Sequence, residues 1–181
     1  MKYLALLRGI NVGGKNSIKM VALTATFERL GFTDIMTYIQ SGNVLFSAPA
    51  SNSEDLCAQI EQALFETFKY AALVVLIRQS DLIKVIRSAP KGFGSKPTVY
   101  RYNVLFLKKP LVAKRVMEDI PRKEGVDEVS AGVGVIYFSH LIAKRSQSRL
   151  SKIVALPIYK SLTIRNWNTT QKLGALIEKE A

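Results

Sequence analysis

The order strand, helix, strand, strand, helix, strand can be read twice along this chain of 181 residues, and nothing else in the sequence restricts the fold so strongly. Tyr3–Leu7 is an unbroken apolar run, as expected of a strand covered on both faces. Met20, Leu23, Phe27 and Leu30 recur at helical spacing after a start near Ser17, and Gly31 stands where a helix end takes a left-handed residue. From Asp34 to Gln40, Ile35, Thr37 and Ile39 alternate with Met36, Tyr38 and Gln40, which predicts a half-buried strand. Ser41-Gly42-Asn43 then turns into a strand over Val44–Phe46. Ser51 and Glu54 have capping-box spacing ahead of Leu56, Ile60, Leu64 and Phe68, and Ala72–Ile77 closes the unit as a buried strand.

A helix over Asp81–Ser88, capped by Ser80, leads into Ala89-Pro90-Lys91-Gly92-Phe93-Gly94-Ser95-Lys96-Pro97, whose prolines and glycines predict a linker or mobile loop. The order then repeats: strand Tyr102–Leu107, helix Leu111–Met117, and a hairpin of Val126–Ser130 and Val133–Phe138 around Ala131-Gly132. Helix Arg149–Ala155, strand Leu162–Arg165 and helix Thr169–Lys179 follow, the last with Asn168 and Gln171 spaced as cap and partner. The expected fold is α+β: two ferredoxin-like (βαββαβ) halves with antiparallel sheets and an extra C-terminal helix. Residues 1–78 form the first half, 79–100 the helix and Pro/Gly-rich linker, and 101–181 the second half. No residue-level repeat accompanies the pattern, so the assignment rests on element order.

This topology gives meaning to Arg8-Gly9-Ile10-Asn11-Val12-Gly13-Gly14-Lys15-Asn16, between the first strand and first helix. Glycines and a lysine at such a turn let backbone N–H groups converge on an anion. In a split βαβ sheet the first two strands run parallel with the third between them, so this loop meets the turn after the second strand at one edge. Arg8, Asn11, Gly13, Gly14, Lys15, Gln40, Ser41 and Asn43 are therefore the candidate anion-binding residues. The loop nearly satisfies the phosphate-loop pattern but has Asn16 where a magnesium-binding hydroxyl belongs. The second strand ends in Gln40-Ser41 without an acidic residue and a hairpin follows, which argues against a nucleotidase.

Charge is distributed unevenly. Residues 1–90 carry 9 basic and 7 acidic side chains, and residues 91–181 carry 17 and 7, so nearly all of the net +12 lies in the second half. Such an excess suits nucleic acid or another polyanion, and Lys144, Arg145, Arg149, Lys152 and Arg165 are the candidate face. Lys91, Phe93 and Lys96, with Trp167, could add phosphate contacts and stacking. The alternative is an enzyme or binding protein for a phosphorylated or carboxylated metabolite in a cleft between the halves, using Lys15, the glycine loop, Asn43 and Arg165. No catalytic residue is assigned. His140 is the one histidine and Cys57 the one cysteine, too few for a zinc set, and no cofactor or metal is expected. The lone cysteine, the short apolar start before Arg8 and the absence of any run near 18 apolar residues predict a cytoplasmic protein without a membrane span.

Leu6-Leu7-Arg8-Gly9-Ile10-Asn11-Val12-Gly13-Gly14, Gln40-Ser41-Gly42-Asn43-Val44 and Arg165-Asn166-Trp167-Asn168-Thr169 together resemble the bacterial family of domain of unknown function 1697. The resemblance spans nearly the whole chain. It implies a cytosolic αβ fold with ferredoxin-like parts and carries no activity or catalytic residue with it.

Overall fold

A computed structural model describes residues 1–11 and 17–179. In the first unit, β1 (Lys2–Arg8), α1 (Met20–Arg29), β2 (Thr33–Tyr38), β3 (Asn43–Ser47), α2 (Ser53–Phe68) and β4 (Leu73–Arg78) follow in order. Every strand pairing is antiparallel and the strand order is β2-β3-β1-β4, the split arrangement of a ferredoxin-like sheet. Tyr3, Ala5 and Leu7 of β1, with Val44 and Phe46 of β3, join Leu23, Phe27, Leu56, Ile60 and Leu64 of the helices in one core. Leu4 and Leu6, on the opposite face of β1, are buried as well, so the unbroken apolar run is used on both sides.

Helix ends show how local chemistry moved some boundaries. Gly31 (φ 79°) closes α1: its N–H donates to Glu28 O at 2.9 Å and that of Phe32 donates to Phe27 O at 3.3 Å. The cap of α2 is Asn52, one residue after the expected Ser51; its side chain accepts the Glu54 N–H at 2.9 Å. α1 begins at Met20, later than the start expected near Ser17, and its cap position is Lys19 without a side-chain cap bond.

In the second unit, after α3 (Gln79–Arg87), come β5 (Tyr100–Leu107), α4 (Ala113–Asp119), β6 (Asp127–Ala131), β7 (Val135–Leu141), β8 (Leu162–Asn166) and α5 (Trp167–Lys179). The order β6-β7-β5-β8, again all antiparallel, repeats the first sheet. The expected helix Arg149–Ala155 is not an α-helix. Three 3-10 turns, Ile142–Gln147, Leu150–Ala155 and Pro157–Ser161, occupy that place in the order. Ser148 Oγ accepts the Leu150 N–H at 3.3 Å, and Leu156 before Pro157 is extended (ψ 142°), which prevents a continuous helix. α5 starts two residues before the expected Thr169, because Asn166 rather than Asn168 caps it: Asn166 Oδ1 accepts the Asn168 N–H at 2.9 Å.

The chain divides into a unit of Met1–Leu82 with the end of α5 from Ala175, and a unit of Ile83–Gly174. The segment expected to be a linker is built into the second unit from Ile83 onward. Phe93 packs edge-to-face on Tyr102, Tyr137 and Trp167 with centroids at 4.9, 5.3 and 5.1 Å, and Ser95 N–H donates to Gly92 O at 3.0 Å. The Tyr137 hydroxyl donates to Val85 O at 2.6 Å, and burial pushes its pKa up to about 12. Among the described residues, no helix is long and apolar enough to cross a membrane.

Candidate functional site

The edge expected to hold the glycine-rich loop exists. Leu6 is paired with Asn43, Tyr38 is paired with Asn43 on the other side, and the Leu7 N–H donates to Gly42 O at 2.7 Å. Four residues at this edge have left-handed backbones: Gly9 (φ 77°), Asn11 (φ 53°), Ile39 (φ 50°) and Gly42 (φ 75°). A β-branched residue such as Ile39 is strained there, at a cost of about 1–3 kcal/mol. Asn11 is the hub. Its Oδ1 accepts the Ile18 N–H at 2.7 Å, while Nδ2 donates to Ile18 O at 3.0 Å and Gln40 O at 2.9 Å. One amide thus ties Asn11 both to Ile18 and to Gln40 in the β2–β3 turn.

The other candidates at this edge fare unequally. Gly13, Gly14 and Lys15 lie outside the described residues. Gln40 and Ser41 are exposed, and Arg8 is half-buried with its carbonyl accepting the Tyr70 hydroxyl at 3.3 Å. Asn43 does not line a solvent pocket: it is fully buried, and its Nδ2 donates to Tyr38 O at 2.9 Å and Ser41 Oγ at 3.0 Å, closing the turn.

Of the candidate basic face, Lys144, Arg145 and Lys152 are exposed on the 3-10 turns and Arg149 is half-buried. Arg165 is a correction. It is only 8% exposed, donates through Nη1 to Thr163 Oγ1 and Ile164 O at 2.9 Å each, and burial lowers its pKa to about 10. It stays charged at neutral pH inside the unit and contributes nothing to an exposed face. Trp167, 5% exposed, is likewise a core residue.

A second constellation was not singled out from sequence, apart from His140 as the lone histidine. Arg101 on β5 is paired with His140 on β7, which is paired with Asp127 on β6, so the three form a row across the sheet near its end. Asp127 Oδ2 accepts the Lys123 N–H at 2.8 Å and the Arg149 N–H at 2.9 Å. Its Oδ1 and His140 Nδ1 are buried without a hydrogen-bond partner among the described residues. Burial lowers the His140 pKa below 6.5; Asp127 pulls it up, and Arg101 and Arg145 push it further down.

That shift sets a pH dependence. His140 binds a proton less readily folded than unfolded, so its contribution to stability is complete above pH 6.5 and is lost as pH falls below it. Because the chain has one histidine, the stability difference between wild type and His140→Gln isolates this site. Urea unfolding between pH 8 and pH 5 is expected to show wild type losing stability relative to the variant below about pH 6.5. A difference constant with pH would contradict the assignment.

Among the described residues, no group of three or more His, Cys, Asp and Glu is placed to hold a metal ion. Two antiparallel four-stranded sheets with helices between them and a C-terminal helix define a mixed α+β protein with two ferredoxin-like halves. The chain belongs to the family described as protein of unknown function (DUF1697), whose pattern matches residues 1–137. It is similar to the solved structure of conserved bacterial protein SP0830 from Streptococcus pneumoniae, with a TM-score of 0.82 at 25% identity, covering 97% of this chain and 98% of that one. Comparison with curated proteins gives no match.

Proposed function

We propose that this protein binds an anionic ligand, nucleic acid or another polyanion, through the basic 3-10 turns of its second unit. One observation carries the reading: from Val129 to Ile177 the chain has seven Lys and Arg residues and no Asp or Glu, and Lys144, Arg145 and Lys152 of that stretch are exposed. Cations on a surface segment without carboxylates of its own give a positive local potential that favours phosphate contacts. The single buried Cys57, which cannot form an internal disulfide, supports a cytoplasmic setting for such a partner. The test is binding of a short oligonucleotide as a function of salt. Replacing Arg145, Arg149 and Lys152 together by Ala is expected to reduce the slope of log K against log salt by about 2–3, at roughly 0.7–0.9 per lost phosphate contact. An unchanged slope and affinity would make these residues a solvated surface.

A second reading is favoured by the Asn11 clamp. It ties Asn11 and Ile18, which flank Gly13-Gly14-Lys15 in the sequence, to each other and to Gln40 of the β2–β3 turn, which supports capture of a phosphorylated or carboxylated metabolite. Lys15→Ala is then expected to cost about 1.5–3 kcal/mol of anion affinity, ten- to a hundredfold, with little change in folding stability. Thermal-shift titration with phosphate, sulfate and nucleotides checks it. Equal stabilisation of wild type and variant by every anion would dismiss the loop as a ligand site.

A further inference from the structure

The row Arg101–His140–Asp127 is built in a way that packing does not explain. Both His140 and Asp127 are more than nine-tenths buried, at 6% and 7% exposed, and each keeps one polar atom without a hydrogen-bond partner among the described residues. Buried polar groups in native proteins are satisfied in roughly nine cases of ten or more, so two orphans on directly paired residues mark a place for a further polar atom. The two atoms are also complementary. A carboxylate oxygen such as Asp127 Oδ1 is an acceptor, whereas an imidazole Nδ1 donates or accepts according to tautomer. A hydroxyl group can donate to the first and accept from the second.

Position adds the second requirement. Asp127 is the first residue of β6 and His140 the last but one of β7, so the row lies at the end of the sheet. Arg101, paired with His140, is exposed, and so is Arg145 on the first 3-10 turn after β7. Arg101 is the cross-strand partner of His140, and Arg145 lies on the turn that directly follows β7, so both belong to this end of the sheet. An oxyanion on Arg101 and Arg145 would gain charge-assisted, fork-shaped contacts. A bare anion placed deeper would meet the Asp127 charge, so the charged end must face the arginines and the hydroxyl end the pair.

We infer that the Arg101–His140–Asp127 row, with Arg145 beside it, is a binding site for a small organic anion that carries a hydroxyl group a few bonds from its phosphate or carboxylate. This site is distinct in its ligand from the polyanion surface and does not depend on Lys144 or Lys152.

The single histidine makes the test direct, since a long-range 15N–1H imidazole spectrum of the protein contains one spin system. Glycerol 3-phosphate, lactate and inorganic phosphate are titrated in turn. One of the two hydroxyl-bearing anions is expected to shift the His140 signals saturably, at least about tenfold more tightly than inorganic phosphate, and which one does so identifies phosphate or carboxylate as the charged end. Bound anion neutralises the two arginines, so the His140 pKa rises and binding is tighter at pH 6 than at pH 8. Arg101→Gln with Arg145→Gln, both exposed positions, is expected to weaken binding at least about tenfold. Asp127→Asn keeps an oxygen for the Lys123 and Arg149 amides and replaces the orphan oxygen by an NH₂ group, so it should erase the preference over inorganic phosphate. Lys144→Ala with Lys152→Ala should leave the titration unchanged while lowering the oligonucleotide salt slope, which separates this site from the surface reading. The inference is overturned by the absence of a saturable response to either organic anion, by a response that persists in the double arginine variant, or by inorganic phosphate binding as tightly as both.

Discussion

Phe46→Ala is expected to destabilise the protein by about 3–5 kcal/mol, the range for removing a buried aromatic ring. Phe46 is 2% exposed on β3 and is the centre of an aromatic group: Phe32 stacks on it at 4.7 Å, Tyr3 at 5.6 Å, and Phe27 meets it edge-on at 5.2 Å. Deleting the ring therefore opens a cavity lined by three other rings, in the layer between the sheet and α1, where collapse would require strands β1 and β3 to shift together. Phe46→Leu keeps most of the volume and should cost less than the alanine change. Urea unfolding followed by far-UV circular dichroism measures both. A loss below about 1 kcal/mol for Phe46→Ala would mean that the first unit is not held by this layer.

Much of this architecture was legible because period and punctuation agree. Tyr3–Leu7 has no polar interruption, and it became a central strand with both faces covered. The succession of four strands was readable in both halves, and both sheets have the same strand order. What failed was the second helix of the second half, expected over Arg149–Ala155, where Ser148 and Pro157 break the hydrogen-bond ladder into 3-10 turns. Two caps fell one or two residues away from the expected ones, at Asn52 instead of Ser51 and at Asn166 instead of Asn168, because several short polar side chains near a helix start can serve the same N–H groups.

The candidate sites illustrate a different limit. Asn11 and Gln40 could be brought together from topology alone, since the end of β1 and the β2–β3 turn must share an edge. The Arg101–His140–Asp127 row could not, because it depends on register. A hairpin turning at Ala131-Gly132 sets Asp127 opposite Ile136; the observed hairpin pairs Ala131 with Ile136 and so sets Asp127 opposite His140. Gly134, at φ 70°, is the residue that lets the turn fall later. Burial of Arg165 was equally hidden: its partners Thr163 and Ile164 are ordinary strand residues, and only the covering of that face of β8 turns a basic side chain inward.

Trp167→Ala is the variant with the largest expected effect in the second unit, about 3–5 kcal/mol of folding stability. Trp167 is the first residue of α5, 5% exposed, and its ring meets Phe93 edge-on at 5.1 Å. Phe93 in turn packs on Tyr102 and Tyr137, so the indole anchors the segment that leads into β5. Gly94 (φ 85°) lies so close that a Cβ there would overlap the indole nitrogen, which shows how little room the ring has to leave its place. The result also decides between two roles for an aromatic residue in a basic protein. A ring that stacks on bases contributes about 1–3 kcal/mol per base to binding and little to folding. A ring in the core does the reverse. Urea unfolding by circular dichroism, which does not depend on the fluorescence of this single tryptophan, is expected to show the stability loss for Trp167→Ala and a smaller one for Trp167→Phe. Oligonucleotide affinity, measured at a temperature where the variant is folded, should stay within about twofold of wild type. Wild-type stability with a tenfold loss of oligonucleotide binding would instead put Trp167 in the polyanion interface and require the Phe93 contact to open in solution.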